Sequence, residues 1–161
     1  MNHAGPSSIG SPGSWKTLVV IPTYNEAENI ERISQEIISS QPDVSILFVD
    51  DHSPDGTGEI ADRLARETPR ISVIHRLKKT GLGSAYVEGF RYALAKNYDF
   101  VLSMDCDLSH DPRDIPRLVH AALNGVDLVI SSRYIKGGRI VGWPIHRYLL
   151  SRLANFPSLP I

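Results

Sequence analysis

Phe100-Val101-Leu102-Ser103-Met104-Asp105-Cys106-Asp107-Leu108-Ser109-His110 is an apolar run that turns acidic at its end. The run is too short for a core helix, and it reads as a buried strand that opens into a polar loop. Working outward, the same texture recurs at Leu18-Val19-Val20-Ile21, Ile46-Leu47-Phe48-Val49, Ile71-Ser72-Val73-Ile74 and Leu128-Val129-Ile130-Ser131. Between these runs the apolar residues fall at helical spacing: Ile30, Ile33 and Ile37; Ile60 and Leu64; Tyr86, Phe90 and Leu94; Ile115, Leu118 and Val119. Asn25 with Glu28 three residues on has the form of a capping box, and Asp111-Pro112 that of an N-cap with proline in the first turn. Strands alternating with helices, and strands apolar on both faces, predict an α/β fold: a mainly parallel sheet with helices on both faces. Ligands of such sheets bind beyond the carboxyl ends of the strands.

The residues at those ends are chemically biased. The first strand leads into Pro22-Thr23-Tyr24-Asn25-Glu26 and the second into Asp50-Asp51-His52-Ser53-Pro54-Asp55-Gly56. The fourth leads into Asp105-Cys106-Asp107 and the fifth into Ser131-Ser132-Arg133-Tyr134. Alternate residues of an extended segment share a face, so Asp105 and Asp107 are placed to act on one small site. Carboxylates with substrate phosphates suit Mg²⁺ or Mn²⁺, and such a metal stabilises a diphosphate as a leaving group. A lone D-x-D occurs often by chance, and a solvated loop is the competing reading. The position at the end of a buried strand, beside a second acidic pair, favours the metal. Asp50 and Asp51 suit hydrogen bonds from ribose hydroxyls or a base N–H, while Asp55 or Thr57 caps the following helix. Asp55-Gly56-Thr57-Gly58 matches no phosphate-loop pattern and reads as a turn into that helix. Lys78-Lys79 before Gly81-Leu82-Gly83 is open to two readings, a basic turn leading into a helix or a close approach of backbone to nucleotide. Arg133, Lys136, Arg139, Arg147 and Arg152, with Gly137-Gly138 and Trp143 among them, form a basic flank. An arginine fork matches a phosphate, and Arg133 at a strand end is the strongest candidate. Cys106 is expected to point away from the aspartates into the apolar layer.

Bulk composition sets limits. The chain has 161 residues, 42% apolar and 22% charged, with a formal net charge of −1. One core domain fits, and no global field calls for nucleic acid. The single cysteine excludes an internal disulfide framework. No signal-peptide pattern opens the sequence, and no apolar run nears the roughly 20 residues that cross a bilayer. Residues 1–14 are rich in Gly, Ser and Pro and read as a flexible tail; 15–155 read as one α/β domain and 156–161 as an irregular tail.

Val20-Ile21-Pro22-Thr23-Tyr24-Asn25-Glu26, Val49-Asp50-Asp51-His52-Ser53-Pro54-Asp55-Gly56-Thr57, Met104-Asp105-Cys106-Asp107-Leu108-Ser109-His110 and Ser132-Arg133-Tyr134, in that order, resemble the dolichyl-phosphate (polyprenol-phosphate) mannosyltransferases of glycosyltransferase family 2. The resemblance runs from about Lys16 to Asn155. It implies a GT-A-type Rossmann-like sandwich, GDP-mannose as donor, a polyprenyl or dolichyl monophosphate as acceptor, a divalent metal, and inversion at the anomeric carbon. It further implies that Pro22, Tyr24, Glu26, Asp50, Asp51 and Asp105 line the donor. Asp105 and Asp107 would hold the metal and diphosphate, and Arg133, Arg147 and Ser151 the acceptor phosphate. Asp105, Asp107 and Arg133 would then carry the chemistry. The protein would sit at the cytoplasmic face of a membrane as a peripheral component, with a membrane-protein partner as one way of docking. The family commonly has alanine where this chain has Cys106. It also continues past Leu153-Ala154-Asn155, whereas this sequence ends in Phe156-Pro157-Ser158-Leu159-Pro160-Ile161, so a shortened member that binds donor but transfers sugar poorly is expected. Competing functions are a family 2 enzyme with another donor or acceptor, such as UDP-glucose, and a donor-binding fragment with little activity. More remote is a D-x-D phosphohydrolase with Asp105 as nucleophile. In such hydrolases the motif follows the first strand, not the fourth.

Overall fold

A computed structural model describes residues 15–41, 43–132, 144–146 and 150–151. In chain order the elements are β1 (Thr17–Thr23), α1 (Ile30–Ser40), β2 (Val44–Asp50), α2 (Thr57–Glu67), β3 (Ile71–His75), α3 (Leu82–Ala95), β4 (Phe100–Ser103), a 3₁₀ turn (Pro112–Asp114) and α4 (Ile115–Leu123). The strands form one parallel sheet in the order β3-β2-β1-β4. The chain winds outward from β1 to β3, then crosses back through α3 to lay β4 on the other side of β1. The order therefore reverses between β1 and β4, the topological switch where such sheets open a crevice.

Side-chain alternation builds a core on each face. Val19 and Ile21 of β1, with Ile46 and Phe48 of β2, pack under Ile30, Ile33 and Ile37 of α1, Ala61 and Leu64 of α2, and Ile115 of α4. Leu18, Val20, Leu47 and Val49 face the other way, onto Ala85 and Ala93 of α3. On α3 the buried stripe is Ala85, Gly89 and Ala93. The sequence pattern had placed Tyr86, Phe90 and Leu94 inward, yet Phe90 and Leu94 are exposed. Close packing is the reason: a Cβ on Gly89 would lie 2.3 Å from Cγ1 of Val20, so only a small-residue stripe lets α3 sit this near β1.

Two further expectations are corrected. Asn25 is not a helix cap; it adopts φ 59°, and α1 begins only at Ile30 after a turn closed by Glu26 C=O accepting from the Asn29 and Ile30 N–H groups. Asn25's backbone N–H is instead tied to the β2–α2 loop, and a left-handed residue cannot serve as an extended N-cap. Residues 128–131 form no strand. A strand needs a ladder, among the described residues no strand pairs with the outer side of β4, and Leu128 and Ile130 are exposed. The Asp111 cap holds: its carboxylate accepts from the Arg113 N–H at 3.0 Å, with Pro112 in the first turn.

The β1–β4 ladder stops at Val20↔Ser103, with one further bond from Met104 N–H to Val20 C=O at 3.1 Å. Pro22, which has no N–H to give, lies beyond that point. The strands part there, and the acidic loop after β4 leaves from the gap.

Candidate active site

At the end of β2, Asp50 and Asp51 are both buried but are used differently. Asp50 is spent within the protein. Its Oδ1 accepts from Thr23 Oγ1 at 3.0 Å and Ser53 Oγ at 2.6 Å, and its Oδ2 accepts from the Ser53 N–H at 3.1 Å. It fastens β1 to the β2–α2 loop. Asp51 Oδ1 accepts from Arg76 Nη1 at 2.5 Å, in an ion pair whose side chains are 9% and 8% exposed. Among the described residues its Oδ2 takes no hydrogen bond. His52, at φ 59°, turns the chain away immediately after.

The loop after β1 is held against the same corner. Asn25 N–H donates to Ser53 Oγ at 3.1 Å, Glu26 N–H to Thr57 Oγ1 at 2.9 Å, and Ala27 N–H to Asp55 Oδ2 at 3.1 Å. The Tyr24 ring stays partly open, with the Lys79 ammonium 3.6 Å from its centroid. Glu26 Oε2 accepts from Asn29 Nδ2 at 2.8 Å.

The pair after β4 behaves as alternation requires. Asp105 is partly buried, Cys106 buried and Asp107 exposed. Tyr86 OH on α3 donates to Asp105 Oδ1 at 3.2 Å. Burial first, and then the Asp105 charge, push the Tyr86 phenol above its ordinary pKa, so it remains a donor. Asp105 N–H donates to His110 Nδ1 at 3.1 Å. Asp107 Oδ1 accepts from the Ser109 N–H at 2.9 Å. Ser109's side chain and backbone hydrogen bonds, outweighing some burial and helped by His110, hold the Asp107 carboxyl below its ordinary pKa. Cys106 lies in the apolar layer, where burial, then Glu26 and Asp107, push its thiol up to about 12.

The described residues thus bring Pro22, Tyr24, Glu26, Asp50, Asp51, Asp105 and Asp107 to the carboxyl ends of β1, β2 and β4, around the switch point. Arg133 and Arg147 lie outside the described residues, and Ser151 is a partly buried residue of the helical pair 150–151. Arg76, Lys79 and Tyr86 were not among the expected site residues. Arg76 directly follows β3, a strand end left uninterrogated. Tyr86 had been read as core, although a tyrosine on a helix beside an acidic loop carries a donor that must go somewhere. Among the described residues no group of three or more His, Cys, Asp or Glu side chains is set to hold a metal ion. None of the described helices is long and apolar enough to cross a membrane.

The sequence matches Glycosyl transferase family 2 over residues 18–159. The chain belongs to this family. It is 49% identical over 141 residues to a polyprenol monophosphomannose synthase of Mycolicibacterium smegmatis, covering 87% of this chain and 53% of that protein. It is 46% identical over 136 residues to an undecaprenyl-phosphate mannosyltransferase of Micrococcus luteus, covering 84% and 56%. A dolichol-phosphate mannosyltransferase of Pyrococcus furiosus is 44% identical over 139 residues, covering 85% and 38%. The chain thus spans about half the length of the first two relatives and less of the third. Among solved structures it resembles the mannosyltransferase PcManGT from Pyrobaculum calidifontis in complex with GDP-Man and Mn²⁺, with a TM-score of 0.56 at 25% identity over 72% of this chain and 35% of that one. A likeness to S. aureus TarS residues 1–349 in complex with UDP-GlcNAc, TM-score 0.50 at 22% identity over 68% and 31%, concerns the fold alone. The architecture is the GT-A type that the motifs imply.

Proposed function

We propose that this family 2 chain is the donor-binding part of a polyprenyl-phosphate mannosyltransferase, which takes GDP-mannose and passes mannose to a polyprenyl monophosphate with inversion. What supports this reading is the placing of Asp105 and Asp107 just beyond β4, beside the β1–β4 switch and at the same end of the sheet as Pro22, Tyr24 and Asp51. The relatives' names add the lipid phosphate, and the Pyrobaculum structure adds GDP-Man and Mn²⁺.

Two hard oxygen donors are an incomplete set, which suits a small divalent cation that keeps substrate phosphate and water among its ligands. Asp105 and Asp107 would hold Mg²⁺ or Mn²⁺, which when bound offsets charge on the departing diphosphate. Asp51, Tyr24, Pro22 and Glu26 would position the base and ribose. Arg133, Arg147 and Ser151 would take the acceptor phosphate. One of its oxygens forms a bond to the anomeric carbon while the bond from that carbon to the diphosphate oxygen breaks, and GDP leaves with the electron pair. A phosphate monoester, with a second pKa of about 6, is already a dianion near neutral pH, so the step needs no general base. The residues here orient and neutralise. A peripheral place on the cytoplasmic face of a membrane follows from a lipid acceptor and a nucleotide-sugar donor.

Calorimetry with GDP-mannose, UDP-glucose and UDP-GlcNAc, each with and without Mn²⁺, tests the reading. Binding of GDP-mannose that needs the metal and exceeds the others is expected. Equal or better binding of a uridine donor would replace the assigned substrate, and metal-independent binding would remove the role of Asp105 and Asp107.

A further inference from the structure

Arg76 follows the last residue of β3, yet its side chain is only 9% exposed. Nη1 donates to Asp51 Oδ1 at 2.5 Å and reaches Gly81 C=O at 3.5 Å. Nη2 donates to Ser84 Oγ at 2.7 Å and to Thr80 Oγ1, and Nε faces Glu88 Oε2 at 3.3 Å. One side chain therefore joins the end of β2, the loop 77–81 and the first two turns of α3. A buried ion pair is a poor way to gain stability, because desolvating both charges consumes most of the Coulomb attraction. A fork with fixed donor directions is, however, an effective way to fix the orientation of a carboxylate. The pair sits where the carboxylate has an assigned use, and its neighbour Asp50 is already committed on both oxygens.

We infer that Arg76 is a positioning residue for donor recognition: it holds Asp51 by Oδ1 so that Oδ2 is presented to the nucleoside. The same fork ties down the segment that carries Lys79 over the Tyr24 ring, so both sides of the nucleoside corner are set by one residue. Lysine cannot replace it, since a single ammonium cannot bridge Asp51, Ser84 and Glu88 in these directions. This inference rests on the donor-binding reading of Asp51 given above.

The test is a double-mutant cycle on the full chain, read by calorimetric GDP affinity in Mn²⁺, with the melting temperature of every variant measured alongside. Arg76→Lys keeps the charge, and Arg76→Gln serves as a second variant should the lysine chain fold poorly. Arg76→Lys is expected to weaken GDP on the order of tenfold, the scale for losing a group that orients a ligand-binding carboxylate. Added to Asp51→Asn, the same change should weaken GDP by less than about twofold, because the two residues act as one unit. Equal losses in both backgrounds would make Arg76 a general stabiliser and overturn the inference, as would undiminished affinity in Arg76→Lys. If Asp51→Asn alone leaves GDP affinity intact, the donor-binding role of Asp51 fails, and with it the purpose given to Arg76. No GDP binding by the unmodified chain would sink the functional proposal itself.

Discussion

At the end of β2, Asp50 is sealed from solvent and its two oxygens take three hydrogen bonds from Thr23 and Ser53. At the end of β4, Asp107 stands exposed and takes a backbone hydrogen bond from Ser109. Both are aspartates beyond a parallel strand, and both belong to motifs of the same family. The first is finished by the protein, so its energy goes into holding two loops together. The second takes its backbone hydrogen bond from within its own loop, and its exposed carboxylate costs little to keep ionised. Acidic residues at one rim are thus not interchangeable: their hydrogen-bond partners separate a carboxylate that frames the fold from one that is open to solvent.

The contrast can be broken most directly at Asp107. Asp107→Ala should weaken Mn²⁺-dependent GDP binding on the order of a hundredfold, at least matching the loss usual for an outer-shell partner of a metal. Its unfolding free energy should shift by no more than about 0.5 kcal/mol, as for an exposed site. Calorimetry and urea denaturation together check this; intact affinity would end the metal assignment. Asp50→Ala should do the reverse. Removing the acceptor strands donors on buried Thr23 and partly buried Ser53 at a cost of about 2 kcal/mol, visible as a lower urea midpoint with unchanged slope. If Asp50→Ala instead kept full stability and lost only GDP, the two corners would have to be reassigned. A smaller effect tests the support of the open corner. Tyr86→Phe removes one hydrogen bond to Asp105 and should weaken Mn²⁺-dependent GDP binding about fivefold, in line with roughly 1 kcal/mol for such a bond. The smallest effect belongs to the residue between the aspartates. Cys106, buried and with its thiol pushed up to about 12, should resist thiol reagents at neutral pH for as long as the chain stays folded. Cys106→Ala should bind GDP within about twofold of the unmodified chain; rapid native labelling would show that the apolar layer opens.

The sheet and the acidic rim were legible because they rest on local pattern: apolar runs of strand length, and polar residues where those runs stop. Cys106 was legible for the same reason, since period-two alternation carries it away from its neighbours. The stripe of α3 was not. Helical spacing favoured the large residues Tyr86, Phe90 and Leu94, but the tight approach of the helix to Val20 selects Ala85, Gly89 and Ala93. Only the neighbour reveals that, and the neighbour is 69 residues away. Arg76 escaped notice likewise, as its partners Asp51 and Glu88 come from opposite sides of it in sequence. The run at 128–131 had the right composition for a strand, but composition supplies no ladder partner.

The way β4 joins the sheet also sets a timetable. Lys16 N–H reaches Asp99 Oδ2 at 2.8 Å across 83 residues, and the adjacent ladder closes β4 on β1. Such distant parallel pairing is slow to form, because a long loop must close before any contact rewards it. On a ribosome, β1, β2 and β3 can assemble early, with the Asp50 corner complete, while the cleft still lacks one wall. On the proposed reading, metal-dependent binding of a sugar nucleotide waits until Asp107 has been synthesised and β4 has docked. Donor binding would then report that the first and the last of the described strands of this sheet have met.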